Sequence, residues 1–410
     1  MVAGYGPKGA ALMRIAIFDY AVAPTNAIGR CHLYMLEALQ REHDFTVFSI
    51  RFENPNPELI RWVRIPAPTR PGALVFLAFH FLAPLYYWWH RLRQGTRFDL
   101  VQLVGSDMSF GDVSYAQFCN RTYLVRHWKQ SGARGLRRVF CWLSHWLRAL
   151  AEPSVYRRAQ HIIVPSLGLA RELRAEYPFV ADKIYVLPNP VDTGQMRRPC
   201  DFDRKRLREQ LGLAPEDVAL AFVALGHYER KGLPLLMQAL AQLRDRHAKL
   251  VIVGGRAGLV ETYRQRGERM GLHGRMVFTG MQRDVRPYLW AADGFAFPSH
   301  YEAFPLVALE AAAAALPLVV TPLNGVEEFL IHGGNGILVE RSVEGVCRGL
   351  SRLLEMSPQA RREMGAHAQR DVARYDTSHF IAGWRKFYGE LREAQGQVCT
   401  EACGERVGRQ

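Results

Sequence analysis

The chain has 410 residues, of which 49% are hydrophobic and 22% charged, and its formal net charge at pH 7 is +14. This length exceeds what one hydrophobic core usually organises, and the composition excludes a disordered or fibrous protein. The charge is uneven, because residues 1–190 hold 23 Lys and Arg against 13 Asp and Glu, a net charge of +10. A basic first half favours contact with an anionic membrane, nucleic acid or a phosphorylated substrate.

Short apolar runs alternate with longer amphipathic segments throughout the chain. The runs that predict strands are 14–20, 44–50, 99–105, 113–119, 161–165 and 184–187, then 220–225, 249–254, 276–279, 294–297, 318–321 and 336–339. Several are continuously apolar, which indicates parallel strands covered on both faces. The sequence therefore predicts an α/β fold of two doubly wound, Rossmann-like domains.

A segment rich in proline and polar residues, 188–198 (PNPVDTGQMRR), predicts the linker between the domains. We expect an N-terminal domain over residues 13–188 and a C-terminal domain over residues 189–376. An amphipathic helix over residues 377–394 is expected to pack back on the N-terminal domain. Residues 395–410 are expected to form a disordered tail.

One apolar run comes near the length of a membrane-spanning helix. Residues 73–89 (ALVFLAFHFLAPLYYWW) include a histidine and a proline and fall short of the ~20 residues that a span needs. Both a buried helix of the N-terminal domain and an interfacial anchor fit this pattern.

Residues 121–158 interleave nine basic side chains and a single acidic one with aromatic residues. This pattern favours a helix that touches an anionic membrane surface, and the alternative is a core-packed helix with a solvated basic face. No nucleic-acid-binding module is present, so no nucleic-acid partner is expected. Seven scattered cysteines without a C-x-x-C pair indicate a reduced, cytoplasmic protein. We therefore expect a protein that lies peripherally on the inner face of the cytoplasmic membrane.

Polar residues follow most of the second-half strands. They stand at 226–232 (GHYERKG), 254–255 (GG), 280–284 (GMQRD), 299–305 (SHYEAFP) and 322–328 (PLNGVEE). In a doubly wound sheet the ligand lies beyond the carboxyl ends of the strands. The functional site is therefore expected on that edge of the second domain.

The strongest cluster is SHYEAFPLVALEAAAAALPLVV, in which Glu302 lies in a loop and a proline opens a helix. Backbone N–H groups near Leu306 and Val307 suit an anion such as a pyrophosphate. Glu310 follows Glu302 with seven residues between them. Two such carboxylates can accept hydrogen bonds from sugar hydroxyls on either side of a diphosphate. Taken alone, the pair would be interpreted as a solvated loop residue and a surface helix residue.

This stretch resembles the Glu-(seven residues)-Glu signature of the family 4 retaining glycosyltransferases, which have the GT-B fold of two Rossmann-like domains facing a cleft. Pro305 and Ala315 stand where glycine is common in that family. Further segments resemble family elements in the same order, namely 189–192 (NPVD), 230–232 (RKG), 324–328 (NGVEE) and 333–339 (GGNGILV). The resemblance covers residues 183–340 well and residues 13–180 more weakly.

The resemblance implies a retaining hexosyltransferase. Its donor would be a UDP- or GDP-sugar, and its acceptor a lipid-linked or cell-surface polysaccharide or glycolipid, as in lipopolysaccharide biosynthesis. Glu302 would contact the donor sugar, and Arg230 and Lys231 would neutralise the leaving diphosphate. A solvated basic turn is the alternative for these two cations. Because Arg230 and Lys231 can supply the positive charge that a metal would otherwise supply, neither a metal nor a cofactor is expected. The donor-binding residues that the resemblance implies are Glu310, Leu306, Val307, Phe304, Met281, Val285 and Gly254.

The N-terminal half contributes the acceptor side of the cleft. Gly29 and Arg30 resemble the family's glycine loop, without its doubled glycine. Gln117 stands where many members have a histidine near the transferred sugar, and an amide cannot take a proton near neutral pH. This departure leaves a second hypothesis, a catalytically silent binding subunit that recruits a partner to the membrane. A dinucleotide oxidoreductase is weaker, because no G-x-G-x-x-G follows either first strand. His227 is expected to be a polar loop residue rather than a catalyst.

Overall fold

The computed structural model describes residues 12–132 and 135–407, with side chains as far as residue 395. The strands of the N-terminal half are β1 Met13–Phe18, β2 Ala21–Val22, β3 His43–Ser49, β4 Arg51–Phe52, β5 Ile60–Arg64, β6 Leu100–Val104, β7 Val113–Tyr115, β8 His161–Val164 and β9 Ile184–Val186. Its helices are α1 Ala27–Leu39, α2 Gly72–Gln94, α3 Asn120–Thr122, α4 Gly135–Arg158 and α5 Leu167–Glu176.

The strands of the C-terminal half are β10 Val218–Val223, β11 Ala248–Val253, β12 Met276–Gly280, β13 Gly294–Phe297, β14 Leu318–Val320 and β15 Gly336–Leu338. Its helices are α6 Thr193–Met196, α7 Arg204–Gln210, α8 Tyr228–Lys231, α9 Leu233–Gln242, α10 Ala257–Arg269, α11 Arg286–Ala291, α12 Leu306–Ala313, α13 Val343–Glu355, α14 Pro358–Val372 and α15 Thr377–Val407.

Two open sheets organise these elements. The first has the strand order β5-β3-β1-β6-β7-β8-β9 and the second β12-β11-β10-β13-β14-β15, and the strand pairs in both are parallel. All six residues of the central strand β10 are buried, as the continuously apolar run predicts. Two doubly wound α/β domains are present, which confirms the predicted fold class.

The predicted strands all occur, with ends shifted by no more than a few residues. The sequence did not reveal β5, an edge strand on which Arg61, Trp62 and Arg64 leave only one residue fully buried. Charged side chains are typical of edge strands, because they discourage pairing with another chain. The same charges hide the apolar pattern by which a strand is recognised.

The C-terminal helix α15 packs against the first sheet. Trp384 is fully buried in the N-terminal core, Tyr388 Oη donates to Gln102 Oε1 at 2.8 Å, and Arg385 pairs with Glu42 at 2.7 Å. The helix continues to Val407, past the predicted end, and no proline interrupts it. The remainder of the predicted tail, 408–410, lies outside the described residues.

Helix α2 is buried on one side and exposed on the other. One face is buried against the N-terminal core, whereas Phe81, Leu85, Trp88 and Leu92 are at least half exposed. Among the helices that the structure describes, α2 has the length and composition of a membrane span, with 33% of its apolar window buried. Length and composition alone are weak evidence, because a core helix of a soluble protein can meet both.

Candidate active site

Three residues predicted to be catalytic meet at the carboxyl edge of the second sheet. Lys231, the last residue of α8, places Nζ 2.6 Å from Glu302 Oε1, in the loop after β13. Arg230 Nη1 donates to the Tyr301 carbonyl at 2.5 Å and lies 3.3 Å from Glu302 Oε1. Ser299 Oγ donates to the same carboxylate oxygen at 2.8 Å. We call Arg230, Lys231 and Glu302 the cation–carboxylate cluster.

The surroundings keep Glu302 ionised. Its side chain is 11% exposed, and burial alone would raise the pKa of the carboxyl. The charges of Lys231 and Arg230, with hydrogen bonds from Lys231 and Ser299, outweigh burial and hold that pKa below its usual value. A dry site with two fixed cations can stabilise negative charge that develops on a leaving diphosphate.

The close turn that carries Lys231 requires glycine at its end. Gly232 has a φ of 89°, and a Cβ there would lie 2.1 Å from the Pro298 carbonyl oxygen. The chain after α8 therefore touches the chain after β13, which brings Lys231 to the loop of Glu302.

Glu310 lies on helix α12 and makes a contact across the cleft. Its side chain is 8% exposed, and Arg30 Nη2 from α1 of the N-terminal domain lies 2.6 Å from its Oε1. The N-cap Asn26 accepts hydrogen bonds from the backbone N–H groups of Ile28 and Gly29, which fixes the start of α1. Residues predicted for the donor side and the acceptor side are therefore in direct contact.

The start of α12 departs from the prediction in two respects. The Leu306 N–H donates to the Phe304 carbonyl at 3.1 Å, so this group is not free for a phosphate as predicted. The tight turn at Pro305 produces this bond. Val307 follows in the first turn of the helix. The Phe304 side chain is 8% exposed and stacks edge-on against Tyr375, which places its ring in the domain core rather than in the donor site.

The residues predicted to hold the base lie at the ends of β11 and β12. Gly254 N–H donates to the Gly280 carbonyl at 2.8 Å, which joins the two strand ends. Met281 follows and is 54% exposed. Val285 is half-buried, precedes α11 and packs against the core. The exposed Met281 is thus the better placed of the two for contact with a ligand.

Gln117 follows β7 and contacts the linker. Its Oε1 accepts a hydrogen bond from Asn189 Nδ2 at 2.6 Å, and Tyr115 Oη donates to Asn189 Oδ1. Within the described residues, the buried Gln117 Nε2 has no hydrogen-bond partner. One amide donor therefore remains for a ligand at this point of the cleft.

Sequence reasoning missed an interdomain network around Glu172 of α5. Tyr301 Oη and Asn324 Nδ2 from the C-terminal domain each donate to its carboxylate at 2.7 Å. Ser166 Oγ, the N-cap of α5, donates to the Ala303 carbonyl at 2.8 Å. The position of Tyr301 beside Glu302 was a usable signal, whereas nothing in the local sequence distinguishes Glu172.

A cavity of about 300 Å³ adjoins the cation–carboxylate cluster on the side of the N-terminal domain. Its lining is mostly aromatic and basic, and its one carboxylate, Glu229, already pairs with Arg266 at 3.2 Å. The aromatic and basic residues include Phe118, Tyr123, Trp128, Arg137, His145, His227, Tyr228, Arg230 and Tyr263. Burial lowers the pKa of His145 to about 3 and that of His227 to about 4, with nearby cations adding to the effect. Both are neutral near pH 7, so neither adds charge to the cavity.

No group of three or more His, Cys, Asp or Glu side chains suited to a metal ion is found in residues 12–132 and 135–395. Three cations lie at the carboxylates of this site, with Arg230 and Lys231 at Glu302 and Arg30 at Glu310.

The fold and the cluster define a class of protein, the GT-B glycosyltransferases. Sequence models agree: the one described as Glycosyltransferase Family 4 matches residues 28–195, and the one described as Glycosyl transferases group 1 matches residues 217–356. The chain belongs to family 4 of the glycosyltransferases.

Individual proteins support this assignment. The chain is 28% identical over 259 residues to a D-inositol 3-phosphate glycosyltransferase of Jonesia denitrificans, which covers 60% of this chain and 61% of the relative. It superposes on WaaG, a glycosyltransferase involved in lipopolysaccharide biosynthesis, with a TM-score of 0.72, 18% identity, and coverage of 90% and 97%. It superposes on Anabaena HepE in complex with UDP and glucose with a TM-score of 0.68, 20% identity, and coverage of 92% and 99%. The two structures show the fold alone.

Proposed function

We propose that the protein is a retaining, metal-independent glycosyltransferase. It takes a sugar from a UDP- or GDP-sugar and passes it to a lipid-linked or cell-surface glycan. The observation that carries the proposal is the cation–carboxylate cluster, where Lys231 Nζ lies 2.6 Å from Glu302. The HepE complex with UDP and glucose supports a nucleotide-sugar donor for this fold.

The charge distribution suggests how the reaction proceeds. The bond from the donor C1 to the diphosphate oxygen breaks, and the electron pair stays on the diphosphate, next to Lys231 and Arg230. An acceptor hydroxyl forms the new bond to C1, and its proton passes to the departing phosphate oxygen. Glu302 holds the cations and accepts hydrogen bonds from the sugar, and Glu310 binds the ribose after Arg30 has released it. Attack on the face that the diphosphate leaves retains the configuration.

The aromatic, basic cavity beside the cluster suits the acceptor. Rings such as Phe118 and Tyr123 offer flat apolar surfaces to a sugar ring, and Arg137 and Arg230 offer charge to a phosphate or a carboxylate. The relatives named D-inositol 3-phosphate glycosyltransferase support a phosphate-bearing acceptor as a class. We therefore infer an anionic glycan acceptor, of the kind found in lipopolysaccharide or polysaccharide precursors.

The N-terminal domain is proposed to lie on the inner face of the cytoplasmic membrane. Helix α4 packs on α2 and leaves Leu136, Phe140, Trp146 and Leu150 exposed by 39–78%. Apolar and aromatic side chains next to arginines are typical of helices that enter a lipid interface. A lipid-linked acceptor would then reach the cleft from the membrane.

One experiment tests the enzymatic proposal. Purified protein is incubated with radiolabelled UDP- and GDP-sugars, and hydrolysis or transfer is measured for the wild type, Lys231→Ala and Glu310→Ala. We expect turnover in the wild type and a loss of roughly 10²–10³-fold in Lys231→Ala, as for removal of one oxyanion-stabilising group. Glu261→Gln, which removes an exposed carboxylate of α10 that pairs with Arg264, is the control.

The silent binding subunit remains the second candidate, because Gln117 replaces a titratable residue. Nucleotide-sugar binding in a thermal-shift assay without any turnover would favour it. Unchanged turnover in both Lys231→Ala and Glu310→Ala would refute the site assignment.

A further inference from the structure

A second large cavity, of about 500 Å³, lies at the opposite edge of the second sheet. Its floor includes Ala292, Asp293 and Pro317, which directly precede β13 and β14. Lys231 and Glu302 follow the carboxyl ends of strands, whereas this cavity faces the amino ends. It is therefore separate from the candidate active site.

Arginines from three segments of the chain surround this cavity. Those that line it are Arg197, Arg198, Arg204, Arg361 and Arg362. The one acidic side chain among the lining residues, Asp293, is already engaged. It lies 2.6 Å from Arg204 and 2.9 Å from Arg208, which stands behind the lining, and it accepts a hydrogen bond from the Ala219 N–H at 2.9 Å.

Arg204 is the lining arginine that pairs with Asp293. The guanidinium groups of the other four, Arg197, Arg198, Arg361 and Arg362, have no carboxylate partner within 4.0 Å in the part of the chain that the structure describes. Arg361 Nη1 reaches only the Leu353 and Leu354 carbonyls, both at 3.5 Å, and Arg362 Nη2 lies 3.0 Å from Gln359 Oε1. Cations gathered in this way repel one another unless an anion lies between them.

Helix α14 adds to the positive field. Pro358, at its first position, lines the cavity, and Arg361 follows one turn later. The first turn of this 15-residue helix contains no acidic residue. A helix start normally favours negative charge, because its free N–H groups carry partial positive charge. Arginines at this end are unfavourable until an anion joins them.

We propose that this cavity binds a ligand that carries two or more clustered phosphate groups. A guanidinium group forms paired hydrogen bonds with phosphate oxygens, and arginines that converge from separate segments can engage neighbouring phosphates. Leu289, Trp290 and Leu316 form an apolar wall for the uncharged part of such a ligand. The site does not depend on the proposed catalytic function.

Isothermal titration with inorganic pyrophosphate tests the proposal. The full chain carrying Lys231→Ala is the background, so that binding at the candidate active site is reduced. Adding Arg198→Gln and Arg361→Gln is expected to weaken the remaining binding at least tenfold, because each substitution removes a charge-assisted contact. Arg244→Gln with Arg246→Gln, two exposed arginines of the same domain, makes the same change in net charge and is expected to leave binding intact.

A vesicle arm separates a soluble phosphate from a lipid headgroup. Sedimentation with phosphatidylglycerol vesicles is compared with that of phosphatidylcholine vesicles for the same variants. Loss of pyrophosphate binding alone assigns the site to a soluble ligand, and loss of both kinds of binding assigns it to a ligand whose phosphates a lipid surface can also supply. Loss of vesicle binding alone contradicts the proposal, because a phosphatidylglycerol headgroup carries a single phosphate. If the Arg198/Arg361 variant keeps both, or loses no more than the Arg244/Arg246 control, the proposal is wrong. If the Lys231→Ala variant turns over nucleotide sugars as fast as the wild type, the active-site assignment is wrong. The comparison between the two pairs of arginine variants is unaffected by that result.

Discussion

Glu302 holds the two cations of the cluster in place before any ligand binds. Three donors, from Lys231, Arg230 and Ser299, converge on its Oε1 at 2.6, 3.3 and 2.8 Å. A carboxylate that gathers cations in this way determines where a diphosphate can be neutralised. A substitution that removes the charge of Glu302 but keeps its shape therefore tests this role.

We predict that Glu302→Gln lowers transfer by roughly 10²-fold or more, because the neutral amide no longer fixes the ammonium group of Lys231. Steady-state kinetics with a nucleotide sugar measure the effect. Glu261→Gln, which removes an exposed carboxylate of α10 that pairs with Arg264, serves as the matched control. Equal activity of Glu302→Gln and the wild type would show that this carboxylate has no role in the reaction.

Some contacts of the site were visible in the sequence and others were not. Lys231 and Glu302 both follow strands of one parallel sheet, and this local feature predicts that they share an edge. The contact between Arg30 and Glu310 joins residues 280 positions apart, and no local pattern pairs them. The free Leu306 N–H was wrongly predicted, because the bond that occupies it depends on the turn at Pro305. The residues that pair with Gln117 and Glu172 likewise depend on how the two domains meet.

Helix α15 connects the end of the chain to the first domain. Trp384 is fully buried and stacks against Tyr115 and Tyr388 at ring distances of 5.5 and 5.2 Å. We predict that Trp384→Ala destabilises the N-terminal domain by about 3–5 kcal/mol, because the cavity adds to the lost burial. Denaturant unfolding measures the change. Trp88→Ala, at a position 50% exposed on α2, is expected to change stability far less.

The exposed apolar side chains of helix α2 are also a feature of a single structural element. Phe81, Leu85, Trp88 and Leu92 recur at helical spacing and are at least half exposed. We predict that Phe81→Ser with Leu85→Ser weakens binding to phosphatidylglycerol vesicles roughly tenfold or more, since each fully buried apolar side chain contributes about 1.5–3 kcal/mol. Sedimentation with vesicles gives the partition coefficient.

The control for this test removes exposed apolar area from the other domain. Leu225→Ser with Ile331→Ser changes side chains that are 61% and 64% exposed. An equal loss of vesicle binding in both double variants would contradict a membrane-binding role specific to α2.

At the level of elements, the sequence predicted nearly all strands because parallel strands are continuously apolar. It could not predict which face of α2 the core covers. That choice depends on α4 and on strands far away in the chain, such as those that bring Phe79 into the core. The edge strand β5 was not predicted, because its charged side chains hide the apolar pattern by which a strand is recognised.

At the scale of the whole molecule, the chain crosses between the domains at two adjacent points. The Val191 N–H donates to the Tyr375 carbonyl at 2.9 Å, and Thr193 Oγ1 donates to Asp376 at 2.5 Å. The prolines of residues 188–198 predict a linker there, whereas no local pattern predicts the return crossing, because its partner is far away in sequence.

Acid stability is also a property of the whole molecule, because both domains hold histidines that are buried or half-buried. Burial lowers the pKa of His43, in the N-terminal core, to about 4, and that of His300, in the C-terminal domain, to about 4. An unfolded histidine has a pKa near 6.5, so between pH 6.5 and about 4 the unfolded chain binds protons that the folded chain does not. These groups therefore make stability fall as the pH is lowered through that window. Asp107, whose pKa burial raises to about 6, acts in the opposite direction.

His43 allows a direct test, because its side chain faces Phe45 and Tyr388 and its Nδ1 has no hydrogen-bond partner within the described residues. We predict that His43→Phe loses less stability than the wild type between pH 7.5 and pH 5, by on the order of 1–2 kcal/mol, since one proton contributes about 1.4 kcal/mol per pH unit. Urea unfolding at several pH values measures both proteins. Above pH 7 the histidine is neutral in the folded and unfolded chains, so the difference between the two proteins should be constant there. Parallel curves down to pH 5 would mean that His43 is protonated in the folded state and that burial does not depress its pKa.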